Sequence, residues 1–186
     1  MLAVWALLVT MTDSKQAGAQ AVAVPVPLQA ELLVKVAAYD KNLLPRAGDR
    51  VRVLIVEKPG DGDSARVAGQ LRSALHEIPA IGGLPHDEVV FDFSDAHALA
   101  AECRSQHVSI VYIGPGMGTD IEAIRQAFDG GNLLSVAAVP DDVRRGIVLG
   151  FGLKAGRPNL LLNLAQARRE GVALRPEVVR LMTVYE

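Results

Sequence analysis

Gly114-Pro115-Gly116-Met117-Gly118-Thr119-Asp120 lies between an apolar run, Val108 to Ile113, and an amphipathic stretch carrying Ile121, Ile124 and Phe128. A glycine-rich turn that leads from a strand into a helix exposes backbone amides, and the N-terminus of a helix favours anions. In open α/β sheets such turns lie where ligands dock. Gly114, Gly116, Gly118 and Thr119 are therefore the candidate ligand contacts. The turn is not a phosphate loop, because it lacks the Gly-Lys-Ser/Thr ending. Its glycines fall at every second position, Pro115 removes an amide, and Asp120 and Glu122 bring negative charge to the first helical turn. A tight phosphate site, a weaker small-ligand site and a plain structural turn all remain open readings. Thr119 with Glu122 also has the spacing of a capping box.

Other reactive side chains do not converge in the sequence. The histidines are His76, His86, His97 and His107, and Cys103 is the single cysteine. Only Cys103 and His107 are closely spaced, and they straddle a helix end, so no metal set is expected. The histidines read as surface residues and Cys103 as a buried thiol with no base beside it. Asp61/Asp63 and Asp141/Asp142 are paired carboxylates, but both pairs stand where turns and caps favour Asp. No Gly-x-Ser-x-Gly elbow occurs. No catalytic constellation and no cofactor are expected.

The elements that must position these groups follow from periodicity. Leu28, Leu32, Val36, Tyr39 and Leu43 form one helical stripe over residues 28–44, closed by Pro45 and Gly48. Val51 to Val56 is an apolar strand with the pattern of burial on both faces. Asp61 opens a helix carrying Val67, Leu71 and Leu75, and Val89 to Phe93 is the next strand. Ser94-Asp95 caps a helix reaching about Arg104, Val108 to Ile113 is the third strand, and Leu133 to Val139 the fourth. Strand and helix alternate, which implies right-handed crossovers and a mostly parallel sheet with helices on both faces. The expected fold is a single three-layer α/β domain. It has a six-stranded sheet, an antiparallel C-terminal hairpin and about five flanking helices.

The C-terminal forty residues carry the most specific pattern. Gly146 to Leu153 is a strand, Lys154 to Pro158 a turn and Asn159 to Leu162 a strand. Asn163 to Gly171 is a short helix with an Asn cap and a Gly stop. Leu174 to Met182 reads as a closing helix with Pro176 near its start. The hairpin followed by Asn163-Leu164, Ala167-Arg168 and Gly171-Val172 resembles the YfiR-like family. The helix before the first strand and the strand-loop-helix at Ile113 support the likeness over roughly residues 28–184. The family is known for exported proteins that control signalling at the inner membrane, its namesake being a periplasmic repressor of a membrane-bound diguanylate cyclase. The resemblance thus implies a non-enzymatic periplasmic regulator with a membrane signalling protein as partner. Better-studied members carry disulfides, and here a lone Cys103 forms none within the chain.

Arg168, Arg169 and Arg175, with Arg180 nearby, read as a solvated face and, given the resemblance, as candidate partner-binding residues. Oligomeric state stays open between monomer and homodimer. At the other end, Leu2 to Met11 is an apolar run too short to span a bilayer but long enough for the core of a signal peptide. Small-x-small sites at Ala17-Gly18-Ala19 and Ala19-Gln20-Ala21 follow it, although no basic residue precedes it. Residues 1–21 are expected to be a signal peptide, 22–186 the exported domain, and no stable membrane insertion is expected. A net charge of -2 and 4% aromatic residues argue against nucleic-acid binding. The alternative functions are a solute-binding module with its ligand at the strand ends, or a hydrolase whose site carries no recognised motif.

Overall fold

Along β1, Val51–Glu57, side chains alternate between two separate cores. Val53 and Ile55 enter one; Leu54 and Val56 enter the other. A strand buried on both faces must be covered on both. The computed structural model, which describes residues 22–186, shows helices on both faces. On one lie α1, Val26–Ala37, and α3, Gly62–His76, over Ile110 and Tyr112 of β3, Ile110–Ile113. On the other lie α4, Ala96–Ser105, and α5, Ile121–Phe128, over Val111 and Ile113. The three-layer α/β arrangement is as the alternation implied.

The sheet has seven strands among the described residues, in the order β2-β1-β3-β4-β5-β6-β7. β2, His86–Asp92, and β3 flank β1, and β4, Leu134–Ala137, extends the parallel array. β5, Leu149–Lys154, continues it, and β6, Arg157–Asn163, returns antiparallel. The hairpin turn is Ala155-Gly156, both at positive φ, as a tight right-twisting hairpin requires.

Three expectations need correction. The sheet gains a seventh strand because β7, Met182–Tyr185, pairs parallel with β6. The closing helix is accordingly short: α8 spans Pro176–Val179. The helix expected over residues 28–44 is two, α1 and α2, Leu43–Ala47, because the Asp40 carboxylate accepts the Asn42 amide and breaks the run. A further short helix, α6, Pro140–Arg144, follows β4, and α7, Leu164–Arg169, follows β6. That makes eight helices among the described residues, not about five. Both Asp61 and Asp95 cap as expected, each accepting two backbone amides. The expected signal peptide lies outside the described residues. Within them, no helix is long and apolar enough to cross a membrane.

Candidate functional site

Helix α7 is short, and isolated short helices do not hold themselves together. Its stability comes from its ends and its underside. Asn163 accepts the Gln166 amide at 2.9 Å, as its position before the helix predicts, and its own amide donates to the Val143 carbonyl at 2.9 Å. Underneath, Glu170 is fully buried. Its carboxylate accepts the Ser135 amide at 3.0 Å, the Ser135 hydroxyl at 2.8 Å and the Gln166 side-chain amide at 3.1 Å. Burial pushes the Glu170 carboxyl up to about 8, against the donors of Gln166 and Ser135 and the charge of Arg46.

The chain after α7 is clasped by the α1–α2 turn. The Gly171 carbonyl accepts from Asn42 Nδ2 at 2.8 Å and Arg46 Nη2 at 3.1 Å. Asp40 Oδ1 accepts the Ala173 amide at 2.9 Å, and Asp40 Oδ2 lies 3.0 Å from Arg46 Nη1 as a charge contact. Both side chains of this ion pair are buried. The outer side of the platform is open: Arg168, Arg169 and Arg175 are exposed. Fixed backbone below and free guanidinium groups above suit recognition of an anionic surface.

The glycine-rich turn lies at the opposite end of the sheet. It leaves the carboxyl end of β3, at the point where strand order reverses around β1. Gly114 is buried, and a side chain there would meet the Val56 carbonyl at 2.7 Å. At Gly116, φ is +86° and an added Cβ would meet the Asp61 carboxylate at 2.7 Å. Lys58 pairs with Asp120 at 2.8 Å and stands 5.3 Å from the Phe93 ring centre. Glycines here let the β1 and β3 loops pack against one another. Gly116 and Thr119 are exposed and Gly118 half-buried. The Thr119–Glu122 capping box does not form. Thr119 donates to Asp120 at 3.2 Å instead, while Glu122 accepts from Arg125 at 2.6 Å and Gln126 at 2.8 Å. Those bonds hold the exposed Glu122 carboxyl down to about 2.

The remaining candidates stay apart. Cys103 is buried, and burial pushes its thiol up to about 12, the wrong direction for a nucleophile. His86 is not a surface residue: its ring is 5% exposed, contacts Glu88 and lies 2.7 Å from the Ile78 carbonyl. No group of three potential ligands gathers for a metal among the described residues. Periodicity missed two features. One is the Glu170–Ser135 bond, made across 35 positions of sequence. The other is an arginine-lined cleft beside α7, assembled from α5, α6 and α7.

The hairpin, capped α7 and the first half of β7 fall within residues 87–183, which match the YfiR/HmsC-like family. The chain belongs to that family. No curated protein matches it. Among solved structures, a conserved domain protein from Vibrio cholerae O1 biovar eltor has a TM-score of 0.64 at 16% identity, over 87% of this chain and 60% of that one. A substrate-binding protein with adhesive properties from Clostridium difficile, in its ligand-free open form, gives 0.60 at 11% identity, over 88% and 60%. An ABC domain from Streptococcus pneumoniae in complex with L-Trp gives 0.59 at 8% identity, over 86% and 61%. At these identities the likeness is one of fold, and this YfiR/HmsC-like chain spans about 60% of each of those structures.

Proposed function

We propose that this YfiR/HmsC-like chain is a non-enzymatic regulatory domain of the periplasm. It binds the exported part of a membrane signalling protein, such as a diguanylate cyclase, and holds it inactive. The observation that carries the reading is α7. The family match runs through this helix, and its underside is fixed to the sheet while Arg168 and Arg169 face solvent. With Arg175 they offer a positive rim to a partner, and such a rim steers encounter and sets salt dependence. Residues 1–21 act as the export signal in this reading.

Purified chain added to membranes containing the candidate cyclase tests it. The reading expects salt-sensitive binding and reduced cyclase output. A chain that binds no such membrane and leaves output unchanged counts against it.

A second reading has its own support. The fold likeness includes a substrate-binding protein and a domain in complex with L-Trp. A small ligand would then meet Gly114, Gly116, Gly118 and Thr119 at the strand ends. Variants in that loop would abolish its binding and leave the α7 rim without effect.

A further inference from the structure

The cleft beside α7 has a volume of about 480 Å³, within the size range of small-ligand sites. Arg125, Arg144, Arg145 and Arg169 line it, against the carboxylates of Glu122 and Glu186. Three of the guanidinium groups are held in place. Arg125 is bonded to Glu122 through Nε at 3.1 Å and Nη2 at 2.6 Å. Its stem lies hard against Gly146, where an added Cβ would stand 2.0 Å from Arg125 Cδ. Arg144 stacks 5.0 Å from the centre of the Tyr185 ring. Arg145 lies 3.5 Å from Asp142, whose carboxylate is buried and makes no hydrogen bond. Among the described residues, neither Arg144 nor Arg169 has a carboxylate within 4 Å.

Four guanidinium groups held together repel one another unless a counter-charge enters. Glu122 faces Arg125 and Asp142 faces Arg145, which leaves Arg144 and Arg169 as the two without such a partner. A guanidinium fork matches phosphate and carboxylate oxygens pairwise. A monocarboxylate has oxygens for one fork. A phosphate monoester has two charges and three free oxygens, enough for Arg144 and Arg169 together. We infer that this cleft is a binding site for a small soluble phosphate monoester. The cleft shares Arg169 with the proposed partner rim, but its test needs the chain alone, so its failure and the failure of the regulatory reading are distinguishable.

Calorimetric titration of the purified chain with glycerol 3-phosphate at low salt is the experiment, with glycerol and acetate as controls. Arg144→Gln with Arg169→Gln removes the two guanidinium groups that face no carboxylate. Arg72→Gln with Arg157→Gln removes the same charge from exposed positions elsewhere. Saturable binding of one phosphate ester per chain is expected. It should weaken at least tenfold in the cleft pair and less than twofold in the distant pair, with circular dichroism unchanged. If the cleft pair fails to fold, Arg169→Gln alone must still weaken binding by several fold. No saturable binding, equal binding of acetate, or equal loss in both pairs overturns the assignment.

Discussion

Glu170 holds Ser135 twice, accepting its backbone amide at 3.0 Å and its hydroxyl at 2.8 Å. The Ser135 oxygen in turn accepts the Val148 amide at 3.0 Å. This is where the sheet's ladder is shortest, since β4 and β5 pair only over Val136↔Leu149 and Ala137↔Gly150. One buried carboxyl therefore fastens α7 to the sheet and, through Ser135, continues the β4–β5 seam beyond its ladder.

The Glu170 bond makes stability depend on pH. Its carboxyl is raised from 4.5 to about 8 by burial, so the folded chain keeps a proton that the unfolded chain releases. Stability from this group is fully present below about pH 4.5 and is lost as pH rises through about 8. Between about pH 6.5 and 8.5 the wild type should lose about 2 kcal/mol that Glu170→Gln does not lose. That window lies above the Asp142 carboxyl, which burial raises to about 6. Urea unfolding of both chains at the two pH values checks it, and parallel losses would remove Glu170 as the source.

Asn163 caps α7 and also ties it to the Val143 carbonyl. Asn163→Ala should lower stability by about 0.5–2 kcal/mol, the usual range for a lost cap. A fall in denaturant midpoint at constant slope is the expected readout.

The buried Asp40–Arg46 pair joins the α1–α2 turn to the chain after α7. Arg46→Met leaves a buried carboxylate without its counter-charge and should destabilise by about 3–5 kcal/mol. Combined with Asp40→Asn, the loss should be smaller than the sum of the two single losses, because contacting residues couple. Additive losses in a double-mutant cycle would show that the pair does not act as a unit.

Much of this was legible in the sequence where the signal is local. Val51 to Val56 reads as a strand because apolar residues run unbroken. Asp61, Asp95 and Asn163 read as caps because a short acceptor before a helix finds amides within reach. What failed was decided at a distance. Met182 to Tyr185 continues an apolar stretch after Pro176, and only pairing with β6 makes it a strand. Thr119 has capping-box spacing, but Asp120 is held by Lys58 from another loop and Glu122 by Arg125. Arg125, Arg144, Arg145 and Arg169 are spread over three helices, so no spacing announces that they share a cleft. The roles of Arg168, Arg169 and Arg175, and of Gly114, Gly116, Gly118 and Thr119, remain proposals that geometry makes specific.

The central claim is that the α7 surface, not the strand-end loop, carries regulation. Cyclase output from membranes should be compared for wild type, Arg168→Glu with Arg169→Glu, and the loop variants Thr119→Ala and Thr119→Val, which leave Gly116 in place. The arginine reversals are predicted to release the cyclase, most at low salt, while the chain stays folded, and the loop variants to keep it repressed. Full repression by the arginine reversals, with release by the loop variants, would contradict the account.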